Sequence, residues 1–94
     1  MRVNFYATLR PLAGGKTITV EVAAPTSAQV VLQTASQTNP ELDAEIWDAN
    51  RALRDHIKVF INGRHSVHLP AGLDTLIGEQ DELDVFPPVG GGAT

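Results

Sequence analysis

Leu83-Asp84-Val85-Phe86-Pro87-Pro88-Val89-Gly90-Gly91-Gly92-Ala93-Thr94 is the stretch on which the reading of this chain turns. Four strand-forming residues meet two prolines and then three glycines. Proline fixes φ and donates no hydrogen bond, so Pro87 and Pro88 end a regular strand and hold the chain extended. Glycine carries no side chain to pack, and residues 87–94 are therefore expected to form a flexible Gly-rich C-terminal tail on a body made by residues 1–86. From Phe86 to Gly92 an extended chain spans at most ~20 Å. A tail this thin can enter a narrow, recessed site in another protein, which makes its own backbone carboxylate a candidate reactive group.

Working back from the tail, alternation marks several strands. Val3, Phe5, Ala7 and Leu9 share one face and Arg2, Asn4, Tyr6, Thr8 and Arg10 the other, predicting a strand through Arg10. Pro11 to Gly15 reads as a turn. Ile18, Val20 and Val22 alternate with Thr17, Thr19 and Glu21 as its hairpin partner. Thr26-Ser27-Ala28-Gln29 fits a capping box. Ala28, Val31, Leu32 and Ala35 recur at helical spacing, so Ser27 to Gln37 should be an amphipathic helix that ends at Asn39-Pro40. Pro40 can open a short second helical turn through Leu42 and Ile46, and Trp47 to Asp55 reads as loop with partial helix. Ile57 to Ile61 and Arg64 to Leu69 flank Asn62-Gly63, a strong hairpin-turn dipeptide. Leu73 to Ile77 reads as a short turn or a single helical turn closed by Gly78, and Glu82 to Phe86 as the last strand.

Two strands, a helix, two strands, a turn and a final strand suggest a small α+β fold, a mixed sheet packed on one main helix. If the first and last strands lie side by side at the centre, the arrangement is the β-grasp.

Composition narrows the function. Ninety-four residues make one domain. The formal net charge of −4 argues against nucleic-acid binding. The two lysines, Lys16 and Lys58, offer little for a phosphate cluster. With no cysteine, a disulfide framework, a thiolate nucleophile and a cysteine metal site are ruled out. No apolar stretch approaches a membrane span, and Met1 to Phe5 lacks a secretory-signal layout, so a cytoplasmic protein is expected.

Among chemistry-bearing residues, His65 and His68 would face opposite sides of a strand, which speaks against a metal site. Asp81, Glu82 and Asp84 crowd the last strand, with Glu79 just before it, without a nucleophile or an orienting base. They read as a solvated acidic edge or as a steering surface for a basic partner. Phe86 shares the outer face with Glu82 and Asp84, and Phe60 falls opposite Val59 and Ile61. The two rings either mark a partner surface or cover each other across strands.

Phe5-Tyr6-Ala7-Thr8-Leu9-Arg10 with Gly14-Gly15, together with Asp81 to Val89 and the glycines beyond, resembles the small subunit of molybdopterin synthase. That protein belongs to the MoaD/ThiS family of ubiquitin-like sulfur carriers. The resemblance implies a carrier and protein substrate rather than an enzyme, countable at most as the small subunit of a synthase complex. An E1-like adenylyltransferase would use ATP and magnesium to adenylate the carboxylate of Gly92, with Gly91 giving access. A sulfur donor would convert the adenylate to a thiocarboxylate, and a sulfur-accepting synthase would consume it, for molybdopterin or another thio-metabolite. No permanently bound cofactor and no metal are implied. Phe60, Phe86, Pro87, Pro88, Val89 and Gly90 are the expected partner-binding residues.

The family's active form ends at its second glycine, whereas here Ala93-Thr94 follow. Gly92–Ala93 is therefore the expected processing bond, cut by a JAMM-type zinc metalloprotease. Two alternatives stand beside the carrier. One is a ubiquitin-like modifier joined through Gly92 to lysines of other proteins. The other is an interaction domain with an unreactive tail.

Overall fold

The computed structural model describes residues 1–88. The expected sites at Val89, Gly90, Gly91, Gly92 and Ala93 lie outside the described residues. The first strand, β1, runs Arg2–Phe5 and pairs antiparallel with β2, Thr17–Thr19. It also pairs in parallel with the last strand, β7, Glu82–Phe86. On the far side of β7 lie β4, Lys58–Ile61, and then β5, Arg64–His65, both antiparallel to their neighbours. The five-stranded order is β2-β1-β7-β4-β5, so the two chain ends form the parallel centre of the sheet. This is the β-grasp.

One face of the sheet carries Val3, Phe5, Val59, Ile61, Leu83 and Val85, all buried. Against it packs α2, Ala28–Ser36, and α3, Pro40–Ile46, packs on α2 and on the short helix α1, Leu9–Ala13. Ala28, Val31, Leu32 and Ala35 of α2 and Leu42 and Ile46 of α3 meet the sheet residues in one apolar core, to which Leu9 and Trp47 also belong. Among the described residues no helix is long and apolar enough to cross a membrane.

Several local expectations are corrected. The first strand does not run to Arg10: Ala7 takes φ 52° and reverses the chain into a short helix, α1, Leu9–Ala13. Leu9 reaches the core from that helix. The apolar alternation therefore identified Val3, Phe5 and Leu9 as inward but missed the reversal, which leaves Ala7 exposed, because a strand and a short turn-plus-helix can bury the same large side chains. Gly14, at φ 81°, closes α1 in the left-handed conformation that glycine adopts without steric cost.

The cap of α2 is Ser27, whose hydroxyl accepts from the Val30 amide at 3.2 Å. Thr26 is not the cap but belongs, with Ser27, to a two-residue strand, β3. Its partner is β6, Leu76–Ile77, an unexpected strand that follows a 3-10 helical turn, Gly72–Asp74, where a turn or helical turn was expected. Asn39 caps α3 by accepting from the Glu41 amide, and Pro40 sits in the first turn where its missing donor costs nothing. The segment after Trp47 contains no helix; it folds back so that Trp47 and Leu53 form an isolated bridge. After β5 the chain does not continue as a strand to Leu69 but turns through a 3-10 helix, Ser66–His68.

Candidate functional site

The parallel pairing of β1 and β7 matches Phe5 with Val85, so the next residues, Tyr6 and Phe86, lie side by side at the end of the pair. The Tyr6 amide donates to the Val85 carbonyl at 3.2 Å and prolongs the ladder by one step. Their rings stack with centroids 4.3 Å apart and planes 8° from parallel. On the other flank, β4 pairs Phe60 with Asp84 and Lys58 with Phe86. Phe60 is thus the diagonal neighbour of Phe86, a separation aromatic side chains can bridge. The two rings meet edge to face at 5.4 Å.

The tight Asn62-Gly63 turn then sets Phe60 opposite His65. Those rings stack at 4.9 Å, and His65 meets His68 edge-on at 5.7 Å. Five rings therefore cross the outer face of the sheet in a continuous row, from Tyr6 to His68. Stacked and edge-to-face pairs at such spacings are the favourable aromatic geometries.

Of the expected docking residues, Phe60 and Phe86 are brought together in this row, each half-buried. Their rings cover each other across the strands, as one of the two readings weighed for them had it. Pro87 is buried and Pro88 exposed where β7 ends. Tyr6, His65 and His68 complete the row; Tyr6 was not singled out from the sequence, and the histidines were considered there only as a metal pair. The signals for Tyr6 and His65 were present: Tyr6 stood on the outward side of the first alternation, and a two-residue turn at Asn62-Gly63 dictates a Phe60–His65 pair. The histidines are not on opposite sides, as a strand would have placed them, because His68 lies in the 3-10 turn that folds beside β5. Among the described residues no group of three His, Cys, Asp or Glu side chains could hold a metal ion.

The acidic residues of the last strand turn out to be internally engaged. Asp84 Oδ1 accepts from the Tyr6 hydroxyl and from Asn4 Nδ2, both at 3.0 Å, and Asn4 Oδ1 in turn accepts from Thr17 Oγ1 at 2.7 Å. Burial raises the Tyr6 phenol above its ordinary pKa, and the hydrogen bond to the Asp84 carboxylate adds to the rise. Glu82 pairs with Arg2. Asp81 accepts from the Gly78 amide at 2.7 Å and from Asn62 Nδ2 at 2.8 Å, which holds its carboxyl below the usual range, chiefly through the backbone bond. These carboxylates fasten the loop before β7, the turn after β4 and the polar flank of the sheet.

Positive charge surrounds the ring row. Arg10 lies 5.6 Å and Lys16 6.0 Å from the centre of the Tyr6 ring. Lys58 stands opposite Phe86 on the same face. Arg64 lines, with Phe60, Gly63, His65, His68 and Leu69, a shallow depression of about 530 Å³ at the far end.

A β-grasp with a parallel central pair, an aromatic outer face and a terminal strand running into Pro-Pro and glycine defines the ubiquitin-like class of small carrier and modifier proteins. Residues 3–92 match the ThiS family, and the chain belongs to it, a family of ubiquitin-like sulfur carriers. Small archaeal modifier protein 1 of Haloferax volcanii is 32% identical over 92 residues, covering 98% of this chain and 100% of that one. Small archaeal modifier protein 3 of the same organism is also 32% identical over 92 residues, covering 98% of each. The solution structure of small archaeal modifier protein 1 from Methanosarcina acetivorans superposes with a TM-score of 0.85 at 29% identity, covering 96% of this chain and 93% of that one.

Proposed function

We propose that this protein carries sulfur as a thiocarboxylate on Gly92. The observation that carries the reading is that the family match runs through Gly92 and closes there. The folded body supplies the complement: β7 ends beside an aromatic face at Pro87-Pro88, where an enzyme could grip the domain and draw in the residues beyond.

The chemistry requires activation because a free carboxylate is a poor electrophile. An E1-like enzyme with ATP and magnesium transfers AMP to the Gly92 carboxylate and releases pyrophosphate. A persulfide sulfur then attacks the acyl carbon and expels AMP; cleavage of the S–S bond by a thiol leaves the thiocarboxylate. Gly91 and Gly92 carry no Cβ to obstruct either approach. Residues after Gly92, Ala93 first, are removed beforehand by a JAMM-type metalloprotease. In this scheme the protein is a substrate and carrier, and the catalytic groups belong to its partners. A sulfur-accepting synthase, of molybdopterin or another thio-metabolite, takes the product.

A second reading is favoured by the names of the curated relatives: Gly92 joined to lysines of other proteins, as a modifier. Both uses start from the same adenylate. Incubating protein ending at Gly92 with an E1-like enzyme, ATP, magnesium and a sulfur donor tests the carrier reading. A mass gain equal to exchanging one oxygen for one sulfur supports it. Covalent ladders in cell extracts without that exchange support the modifier alone.

A further inference from the structure

Asn62-Gly63 makes the turn between β4 and β5, and it is the one Asn-Gly dipeptide in the chain. In an unconstrained chain this pair is chemically fragile, because the backbone nitrogen of glycine, unhindered by a Cβ, can attack the asparagine side-chain amide. Asn62 is exposed, and it and Gly63 take φ 50° and 84°, as a tight hairpin turn requires. The Asn62 side chain is nevertheless tied down through both atoms of its amide. Oδ1 accepts from the Glu82 amide at 2.9 Å, and Nδ2 donates to Asp81 Oδ1 at 2.8 Å. The Asn62 backbone amide donates to the Glu82 carbonyl at 3.0 Å. Asp81 is fixed in turn by the Gly78 amide, which donates to its other oxygen at 2.7 Å. In the strand order β7-β4-β5 these bonds draw the Asn62 amide toward β7, whereas the chain after Gly63 passes to β5 on the other side of β4. Both side-chain bonds must break before Asn62 Cγ can turn to the Gly63 nitrogen.

We propose that Asn62 is a deamidation site that the folded protein keeps closed, with the Asp81 carboxylate and the Glu82 amide as the clamp. In the reaction the Gly63 nitrogen gives up its proton to hydroxide and bonds to Asn62 Cγ. The Cγ–Nδ2 bond breaks, and ammonia leaves with a proton taken from water. Water then opens the cyclic succinimide at either carbonyl, to aspartate or to isoaspartate, so that one NH2 is exchanged for one OH overall. The product cannot restore the clamp. Where Nδ2 donated to Asp81, a second carboxylate would face the first with no proton between them. Isoaspartate also lengthens the backbone by one methylene inside the turn that sets Phe60 opposite His65. Conversion therefore unfastens, irreversibly, the loop that leads into β7. A hydrogen bond to an ionised carboxylate is among the stronger ones, and local opening of such bonds sets how often the reactive geometry is reached. The other asparagines serve as internal controls: Asn39 precedes Pro40, which has no N–H to give up, and Asn4 and Asn50 precede residues that carry a Cβ.

The test incubates the full chain in mildly alkaline buffer, folded and in urea, and follows each asparagine by peptide mapping and mass spectrometry. In urea Asn62 should convert first among the four. In the folded parent its conversion should be slower by about tenfold or more. Asp81→Ala, with its fold checked by circular dichroism, should close most of that gap while leaving the rate in urea unchanged. Asp81→Asn, a milder change for folding, should fall between and supplies the same comparison. Folded and unfolded parent converting at equal rates would overturn the clamp, as would a folded Asp81→Ala within about twofold of the folded parent. No conversion at Asn62 in urea would remove the site itself. A second measurement reads the product directly. Asn62→Asp should lower the urea midpoint of the parent more than it lowers that of Asp81→Ala, because the opposed carboxylates exist only in the first background. Equal drops would overturn the clash. None of these outcomes depends on the chemistry of Gly92.

Discussion

The phenol ring of Tyr6 lies nearly parallel to the phenyl ring of Phe86, with centroids 4.3 Å apart. Each residue is the first or last of its kind at the edge of the central parallel pair: Tyr6 follows β1, and Phe86 closes β7. The stack therefore ties the opening of the chain to the root of the C-terminal segment. It also anchors one end of the ring row through the Tyr6 hydroxyl, which Asp84 holds at 3.0 Å.

Phe86→Ala should remove both the stack on Tyr6 and the edge contact with Phe60. Each such pair contributes about 0.5–1.5 kcal/mol beyond area burial, so a loss of about 1–3 kcal/mol is expected in urea unfolding. Tyr6→Phe keeps the stack and deletes one hydrogen bond, for a loss of about 0.5–1.5 kcal/mol. If Phe86→Ala proves no more destabilising than Tyr6→Phe, the ring row does not contribute as described.

A second cluster joins the helical layer. The buried hydroxyl of Ser36 accepts from Trp47 Nε1 at 3.0 Å and donates to Asp43 Oδ1 at 2.8 Å, while Arg51 grips Asp43 through both terminal nitrogens. Ser36→Ala strands the indole N–H in the core, which should cost about 1–3 kcal/mol and lower the melting temperature by roughly 4–8 °C per kcal/mol. Trp47→Phe should cost less at this contact than Ser36→Ala does, because the serine keeps its bond to Asp43; the larger change in ring volume is read separately from Trp47→Leu. Thermal unfolding followed by circular dichroism measures all three.

Stability should fall in acid. Asp43, bonded by Arg51 and Ser36, and Asp81, bonded by the Gly78 amide and Asn62, both have pKa values below the ordinary carboxylate value. A group depressed on folding stabilises the native state above its unfolded pKa of about 3.9, and that contribution disappears as pH falls through the lower native value. Urea midpoints should thus be flat near neutrality and drop below about pH 4. Asp81→Asn should make the drop shallower. Equal midpoints at pH 6 and pH 3 would contradict the assignment.

Much of this was readable in the residues, and the failures have physical causes. The alternations in Arg2–Phe5 and Glu82–Phe86 and the helical repeat of Ala28, Val31, Leu32 and Ala35 each stood out because one face of each element is buried and the other is not. Leu9 misled because a buried leucine extends a strand pattern as readily as it seeds a helix after a reversal, and the reversal at Ala7 uses a left-handed φ that alanine does not advertise. The β3–β6 pair escaped because two-residue strands have no period. Phe60 and Phe86 were legible as outward rings. The roles of Asp81 and Asp84 were not, since a carboxylate's partners, Gly78 and Tyr6 here, come from folding and not from spacing.

The central claim is that Gly92 is the reactive end. Intact-mass analysis of the protein isolated from its own cells tests it most directly. The account predicts a species ending at Gly92, part of it heavier by the exchange of one oxygen for one sulfur. Recovery solely of molecules that still carry Ala93 after Gly92, with no such exchange, would contradict it.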